Sequence, residues 1–271
     1  MKSRIFGAVD EQSINNIKNI MKTNKVAFIT GGNRGLGLET ARELGKQGIQ
    51  VVLGVRDLAK GQKALAELRG EGISADAIRC DVVNTADHQA VYDYFDKKFG
   101  KLDILVNNAG IMVQTESALS GALGPAHTSG ASVAALRETF EVNFFAPVAL
   151  TQTLLPLIRK APEGRIVNLS SVLGSLGLHS DPTLPIYNAK SLAYDSSKTA
   201  LNSFTVHLAH ELRDTKIKVN SAHPGWVKTE MGGEDAPIEV SEGGKTSAQL
   251  ALLPADGPTG GFFHLGQPLP W

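Results

Sequence analysis

Short, nearly uninterrupted apolar runs alternate along the chain with longer stretches whose apolar positions recur at helical spacing. Lys25–Thr30, Gln50–Val55, Ile73–Arg79, Leu102–Asn107, Gly164–Ser170 and Ile217–Ala222 predict strands, and Gly260–Phe263 a short further one. Between them the spacing predicts helices from about Gly35 to Gly48, from an Asp57 cap to near Gly70, and over Thr85–Phe99. Further helices are predicted over about Val133–Arg159, about Tyr194–Asp214 and near Val240–Leu252. Strands apolar on both faces and separated by helices imply a parallel sheet covered on both sides. The predicted fold is therefore α/β: a doubly wound, mainly parallel, seven-stranded sheet with helices on both faces. Residues 25–271 read as one domain and residues 1–24 as a peripheral extension, with a short amphipathic stretch around Ile14–Ile20. Two irregular segments, Gln114–Gly130 and the one between Ser171 and Tyr194, read as loops at the ligand end.

Composition narrows the function. The chain has 271 residues, 42% of them hydrophobic, enough for a substantial core. Lys plus Arg and Asp plus Glu number 27 each, so no bulk charge draws the chain to nucleic acid or to an anionic membrane. A single cysteine, Cys80, excludes an intramolecular disulfide, fits a reducing, cytoplasmic setting and is expected to be buried. No apolar run approaches the roughly 20 residues a membrane span needs, and residues 1–24 hold no sustained apolar signal-peptide core. His207 and His210 share a helix without a cysteine or carboxylate constellation, so no metal is expected.

Candidate chemistry begins where the first strand meets the first helix, at Thr30-Gly31-Gly32-Asn33-Arg34-Gly35-Leu36-Gly37. Glycines let backbone approach a pyrophosphate, and a helix N-terminus offers N–H groups and a favourable dipole. In this strand–turn–helix context the segment resembles the cofactor signature of the short-chain dehydrogenase/reductase family, and it makes the predicted sheet Rossmann-type. An acidic residue at the end of the second strand would bind a ribose 2′-hydroxyl and repel a 2′-phosphate. Val55 stands there, followed by Arg56, while Arg34 lies in the glycine turn. Two guanidinium groups suit a phosphate, so NADP(H) is the predicted cofactor. Asp57 is assigned to helix capping. The resemblance further implies adenine contacts from Asp81 and Val82. It also places Asn108, Ala109 and Gly110 of Asn107-Asn108-Ala109-Gly110 beside the cofactor. Pro224, Gly225, Val227 and Thr229 of Pro224-Gly225-Trp226-Val227-Lys228-Thr229 are implied to hold the nicotinamide carboxamide.

Reduction of a carbonyl needs a hydride, a proton for the oxygen and stabilisation of the developing alkoxide. Tyr194 and Lys198 share a helix face, and an ammonium near a phenol lowers its pKa toward the working range. Tyr94 and Lys98 have the same spacing, but they precede the Asn-Asn-Ala-Gly motif, follow no serine-bearing strand and read as helix-surface residues. Ser171, at the end of the fifth predicted strand, can hydrogen-bond a substrate oxygen. The family resemblance adds Asn143, early in the long helix, as the residue that helps hold a water in a proton relay with the lysine, and it assigns Lys198 to the nicotinamide ribose.

The resemblance runs from about Lys25 to Trp271, and Pro224–Gly233 is similar to the carbonyl reductase branch, which acts on aldehydes and ketones. Retinol- or steroid-type alcohol dehydrogenation and an NADP(H)-binding regulator without turnover are the alternatives. The implied partner is a small carbonyl or alcohol substrate, with neither nucleic acid nor a membrane span. A homo-oligomer is compatible with the resemblance, as are a monomer and a dimer. The chain departs from the family in the longer segment between Ser171 and Tyr194, which is expected to border the pocket; His179 there reads as a substrate contact or, as a lone loop histidine more often is, as a solvated residue. Trp226, Met231, Gly232 and Gly233 read equally as an apolar mobile lid or as core beneath a loop.

Overall fold

In the computed structural model, which describes residues 24–113 and 128–271, successive residues of β1 (Val26–Thr30) feed two different cores. Ala27 and Ile29 join one and Val26 and Phe28 the other, as the two-residue period of a strand requires. The first core receives Leu38, Ala41 and Leu44 of α1 (Gly35–Lys46), Ala64, Leu65 and Leu68 of α2 (Leu58–Gly70), and Ala248, Leu250 and Ala251 further along the chain. The second receives Val91 and Phe95 of α3 (Thr85–Phe99) together with Leu150, Leu154, Leu157, Ile158, Leu208 and Leu212. This is the expected sheet with helices on both faces.

Among the described residues the remaining strands are β2 (Gln50–Val55), β3 (Ala75–Arg79), β4 (Ile104–Asn107), β5 (Arg165–Leu169), β6 (Lys218–Ala222), β7 (Phe262–His264) and β8 (Gln267–Pro268). Their order is β3-β2-β1-β4-β5-β6-β7-β8, parallel throughout except for the final pair. The sheet thus has eight strands where seven were predicted. The extra one arises because Leu265 and Gly266, both at positive φ, form a two-residue hairpin that folds Gln267–Pro268 back on β7.

Other differences lie at element ends. β3 starts at Ala75 because Ile73 belongs to the cap of α2: its N–H bonds Leu68 O and that of Gly72 bonds Arg69 O, with Gly72 left-handed. Asp57 caps α2 as predicted, accepting from Ala59 N and Lys60 N. The stretch predicted as one long helix is α4 (Val133–Phe140), a π-helical segment at Glu141–Phe145, and α5 (Ala146–Arg159). Pro147 has no N–H for the carbonyl of Asn143, and Ala146 N bonds Glu141 O five residues back. The helix predicted near Val240–Leu252 divides at Gly244 into α8 (Val240–Gly243) and α9 (Lys245–Ala251), so chain order is completed by α6 (Leu176–His179) and α7 (Leu192–Glu211). Taken together, Val133–Arg159 has the length and mean hydropathy, 1.2, of a membrane span. Here it is a core element, packed against α3 and α7. The stretch Ile14–Ile20 and residues 114–127 of the Gln114–Gly130 loop lie outside the described residues.

Candidate functional site

Strand order reverses between β1 and β4, which opens a crevice at their carboxyl ends. Thr30 Oγ1 there accepts from the N–H groups of Asn108 and Ala109, each at 3.0 Å, and Asn108 Nδ2 donates to Thr30 O at 2.7 Å. The Asn-Asn-Ala-Gly segment is thereby locked to the glycine turn. Asn107 ties β4 to Thr151 and to Asn168 of β5, at 3.0 and 2.8 Å.

Gly31 and Gly35 have φ of +63° and +54°, a region that favours glycine. A Cβ on Gly37 would stand 2.6 Å from Gly31 O and from Asn108 Nδ2. α1 starts at Gly35 after Arg34, with no side-chain cap and no acid in its first turn, so its N–H groups and positive dipole end are available to an anion. This tight, side-chain-free cradle fits a dinucleotide pyrophosphate. Asn33 and Leu36 complete the turn. Arg34 pairs with Glu230, both largely exposed, and Arg56 is exposed just beyond β2. Asp81 follows β3, its N–H bonded to Asp87 Oδ2 at 2.8 Å, beside buried Val82.

The loop after β6 descends on the other side. Pro224 leads into Gly225, at φ +90°, and buried Val227 bridges to Ile238. Thr229 Oγ1 accepts from Gly232 N at 3.0 Å, and a Cβ on Gly35 would lie 3.8 Å from Thr229 Cγ2. The loop and the phosphate turn therefore flank one cleft, with Gly110 alongside, where an added Cβ would be 3.5 Å from Lys198 Nζ. Trp226 is 52% exposed and donates to Gly232 O, and Met231 is also exposed, so neither is core beneath a loop.

α7 presents Tyr194 and Lys198 one turn apart, and Ser171 leads out of β5 toward them. The Tyr194 phenol faces the Ser171 hydroxyl. Burial pushes the phenol up to about 12, opposed by the Ser171 hydroxyl and reinforced by the charge of Asp195. The sequence led us to expect the lysine to lower this phenol. Instead Lys198 Nζ, with the residue only 3% exposed, donates to Leu169 O at 2.7 Å, and burial dominates the phenol. Burial also brings Lys198 down to about 8. Asn143, fully buried in the π-helical segment, accepts from Ile111 N and donates to Ile111 O, both at 2.8 Å, and to Ser197 Oγ at 3.0 Å. Ser197 in turn donates to Tyr194 O at 2.7 Å. The four sequence-predicted residues Asn143, Ser171, Tyr194 and Lys198 thus converge. Tyr94 and Lys98 do not join them: both bond Asp76, at 3.2 and 2.7 Å, and fasten α3 to the edge strand.

Four further residues went unread in the sequence. Gly174 and His223 gain meaning only through contacts across the fold, whereas Asp195 and Ser197 lie inside the Tyr194–Lys198 motif. His179, expected in solvent, has a side chain only 11% exposed.

The model of the short chain dehydrogenase family matches residues 25–238. Carbonyl reductase 1 (NADPH) of Sus scrofa is 33% identical, the alignment covering 88% of this chain and 91% of that protein. (+)-Neomenthol dehydrogenase of Arabidopsis thaliana is 32% identical over 91% and 98%. Among solved structures, NADPH-bound carbonyl reductase from chicken fatty liver superposes with a TM-score of 0.77 at 27% identity, covering 92% of this chain and 100% of that one. Salutaridine reductase from Papaver somniferum gives 0.75 at 29%, covering 88% and 99%. With the phosphate cradle, the reversed strand order and the converged tyrosine and lysine, this match places the chain in the short-chain dehydrogenase family.

Proposed function

We infer that the chain is an NADP(H)-dependent oxidoreductase that moves hydride between the nicotinamide and a carbonyl/alcohol pair, and that it works as an aldehyde or ketone reductase. The observation that carries this is Tyr194: buried, holding its proton, facing the Ser171 hydroxyl and one turn from Lys198. Relatives named for NADPH and for carbonyl reduction support the cofactor and the substrate class, and the charges of Arg34 and Arg56 suit a 2′-phosphate.

Bound NADPH supplies the hydride. Ser171 Oγ and the Tyr194 hydroxyl receive the carbonyl oxygen, and Tyr194 gives it the proton. Below about pH 8 Lys198 is an ammonium, and its charge stabilises the phenolate left behind. Asn143, whose carbonyl can take no N–H from Pro147, holds the water that returns a proton toward Lys198. Asp81, Val82, Asn108, Ala109 and Gly110 would line the adenosine and ribose side, and the Pro224–Thr229 loop the carboxamide. In this reading residues 25–271 are one catalytic domain and residues 1–24 a peripheral extension. The buried free thiol of Cys80 suits the cytoplasm.

The test follows NADPH consumption with aromatic and aliphatic aldehydes, ketones, diketones and retinal, beside NADH and Tyr194→Phe. Wild type is expected to turn over with NADPH. The Phe variant is expected to lose about 10²- to 10⁴-fold in kcat while still binding NADPH. Equal turnover by the variant would remove Tyr194 from the chemistry, and preference for NADH would remove the arginines' role.

A further inference from the structure

The segment that sets this chain apart, between Ser171 and Tyr194, meets the first turn of the catalytic helix at a polar cluster. Asp195, the residue after Tyr194, accepts from Ser191 N at 2.8 Å through Oδ2, and its own N–H bonds Ser191 O at 2.8 Å. This reciprocal pair closes the first turn of α7. The same Oδ2 lies 3.8 Å from Nδ1 of His179, at the end of α6. Lys190 completes the cluster: its Nζ donates to His179 O at 2.7 Å and lies 4.8 Å from the Tyr187 ring centroid. Carboxylate, imidazole and ammonium thus meet from the catalytic helix, from α6 and from the approach to α7.

Two atoms of the cluster are left over among the described residues. Asp195 Oδ1 and His179 Nε2 are buried and lack a hydrogen-bond partner among the described residues. A carboxylate oxygen left so is costly unless the group takes up a proton. Burial does raise Asp195, to about 7, against the pull of Ser191 N–H and the Lys190 charge. His179 is held below the ordinary histidine range by burial and by Lys190, with a hydrogen bond to the Ala189 backbone acting the other way. Among the described residues, His179 and Lys190 of the inserted segment lie against Asp195; on its own helix Tyr194 feels its charge and Lys198 stands one turn further on. α4, which also packs on α7, carries Arg137 and Glu138, both exposed.

We propose that Asp195 is a positioning residue for the reductase chemistry: through Ser191 it holds the first turn of the catalytic helix, beside His179 of the inserted segment, and its proton is coupled to that of Tyr194. The proposal rests on the reading of Tyr194 as the proton donor. A negative Asp195 makes Tyr194 hold its proton more tightly, and a neutral one lets the proton go more readily. As pH rises through neutrality and Asp195 ionises, the rate of reduction falls, because the donor becomes weaker before any phenol is lost.

The test uses the full chain with carbon-13 at the aspartate carboxyls. One resonance, absent from Asp195→Asn, is expected to titrate near pH 7, and in His179→Gln its midpoint is expected to move. Asn keeps an acceptor for Ser191 N–H, so the helix turn survives. In parallel, the pH profile of kcat/KM for NADPH-driven reduction is expected to show an inflection at the same pH in wild type and none in Asp195→Asn. Titration of Asp195 in the ordinary carboxylate range would overturn the proposal. So would a variant profile that superimposes on wild type, which is what a merely structural role predicts. Should wild type reduce no carbonyl, the reductase reading falls, and the carboxyl titration by itself still decides whether Asp195 holds its proton up to neutrality.

Discussion

Gly174 shows how one missing side chain can set catalytic geometry. A Cβ there would stand 2.8 Å from the carbonyl carbon and Cβ of Lys198 and 2.9 Å from Thr199 N. Its carbonyl accepts from Thr199 Oγ1 at 3.0 Å and from Asn202 Nδ2 at 3.4 Å. The short 3₁₀ turn Val172–Gly174 after Ser171 is thereby pressed onto α7 at the level of Lys198. Gly174→Ala must part the two, and overpacking of this kind costs about 1–3 kcal/mol. We expect a lower thermal midpoint and a kcat reduced at least about tenfold, with NADPH affinity nearly unchanged; steady-state kinetics and a thermal melt check both. A kcat equal to wild type would show that the Ser171–Lys198 distance tolerates the shift. The contact was illegible in the sequence, where Gly174 is one glycine in a loop. Tyr194 and Lys198 were legible because helical spacing itself fixes their common face. His179 was misread for the same reason as Gly174: its burial comes from Asp195 and Lys190, which no local pattern joins to it.

At the scale of elements, the apolar runs identified six parallel strands because a strand buried on both faces has little room for polar residues. What they left out was punctuation made by backbone hydrogen bonds, such as the cap that trims α1, the cap after α2 that delays β3, and the hairpin at Leu265–Gly266. The π-helical segment is the consequential case. A 3.6-residue period runs through Val133–Arg159 unbroken, yet Pro147 shifts the bonding and turns Asn143 inward to Ile111 and Ser197. Pro147→Ala supplies the missing N–H and removes the steric reason for the wide turn. An α-helical Asn143 would rotate away from Ile111, leaving that residue's N–H and C=O to find other partners. We expect kcat to fall by about tenfold or more while the thermal midpoint changes little, since a gain in helix propensity offsets the lost pairing. If the variant keeps full kcat, the π-helical segment is incidental to the placement of Asn143.

For the molecule as a whole, the doubly wound order was legible and located the cleft, but the joint between its strand ends was not. His223 sits at that joint. Its Nδ1 accepts from Val172 N at 3.4 Å, its N–H bonds Phe263 O at 2.8 Å, and its carbonyl lies 2.9 Å from His264 Nδ1. The exits of β5, β6 and β7 are thereby held together. An imidazole that accepts at Nδ1 must be neutral there, and burial, aided by the nearby His264, pushes His223 down to about 3. The unfolded chain takes its proton near 6.5, the folded chain only near 3, so between these values the unfolded state binds more protons. Stability is therefore present above about pH 6.5 and is lost as pH falls toward 3, by on the order of 5 kcal/mol at full extent. Asp195 acts in the opposite sense: its raised folded value gives stability below 3.8 that is lost as pH rises through about 7. The two slopes overlap, so the acid limb of wild type alone cannot assign either group. The difference between wild type and His223→Asn can, because Asp195 is common to both and cancels. Urea unfolding from pH 7 down to about 4 is expected to show wild type losing ground to the variant steadily as pH falls. A difference independent of pH would mean that His223 takes a proton in the folded state, and that the bond to Val172 does not hold the strand exits together.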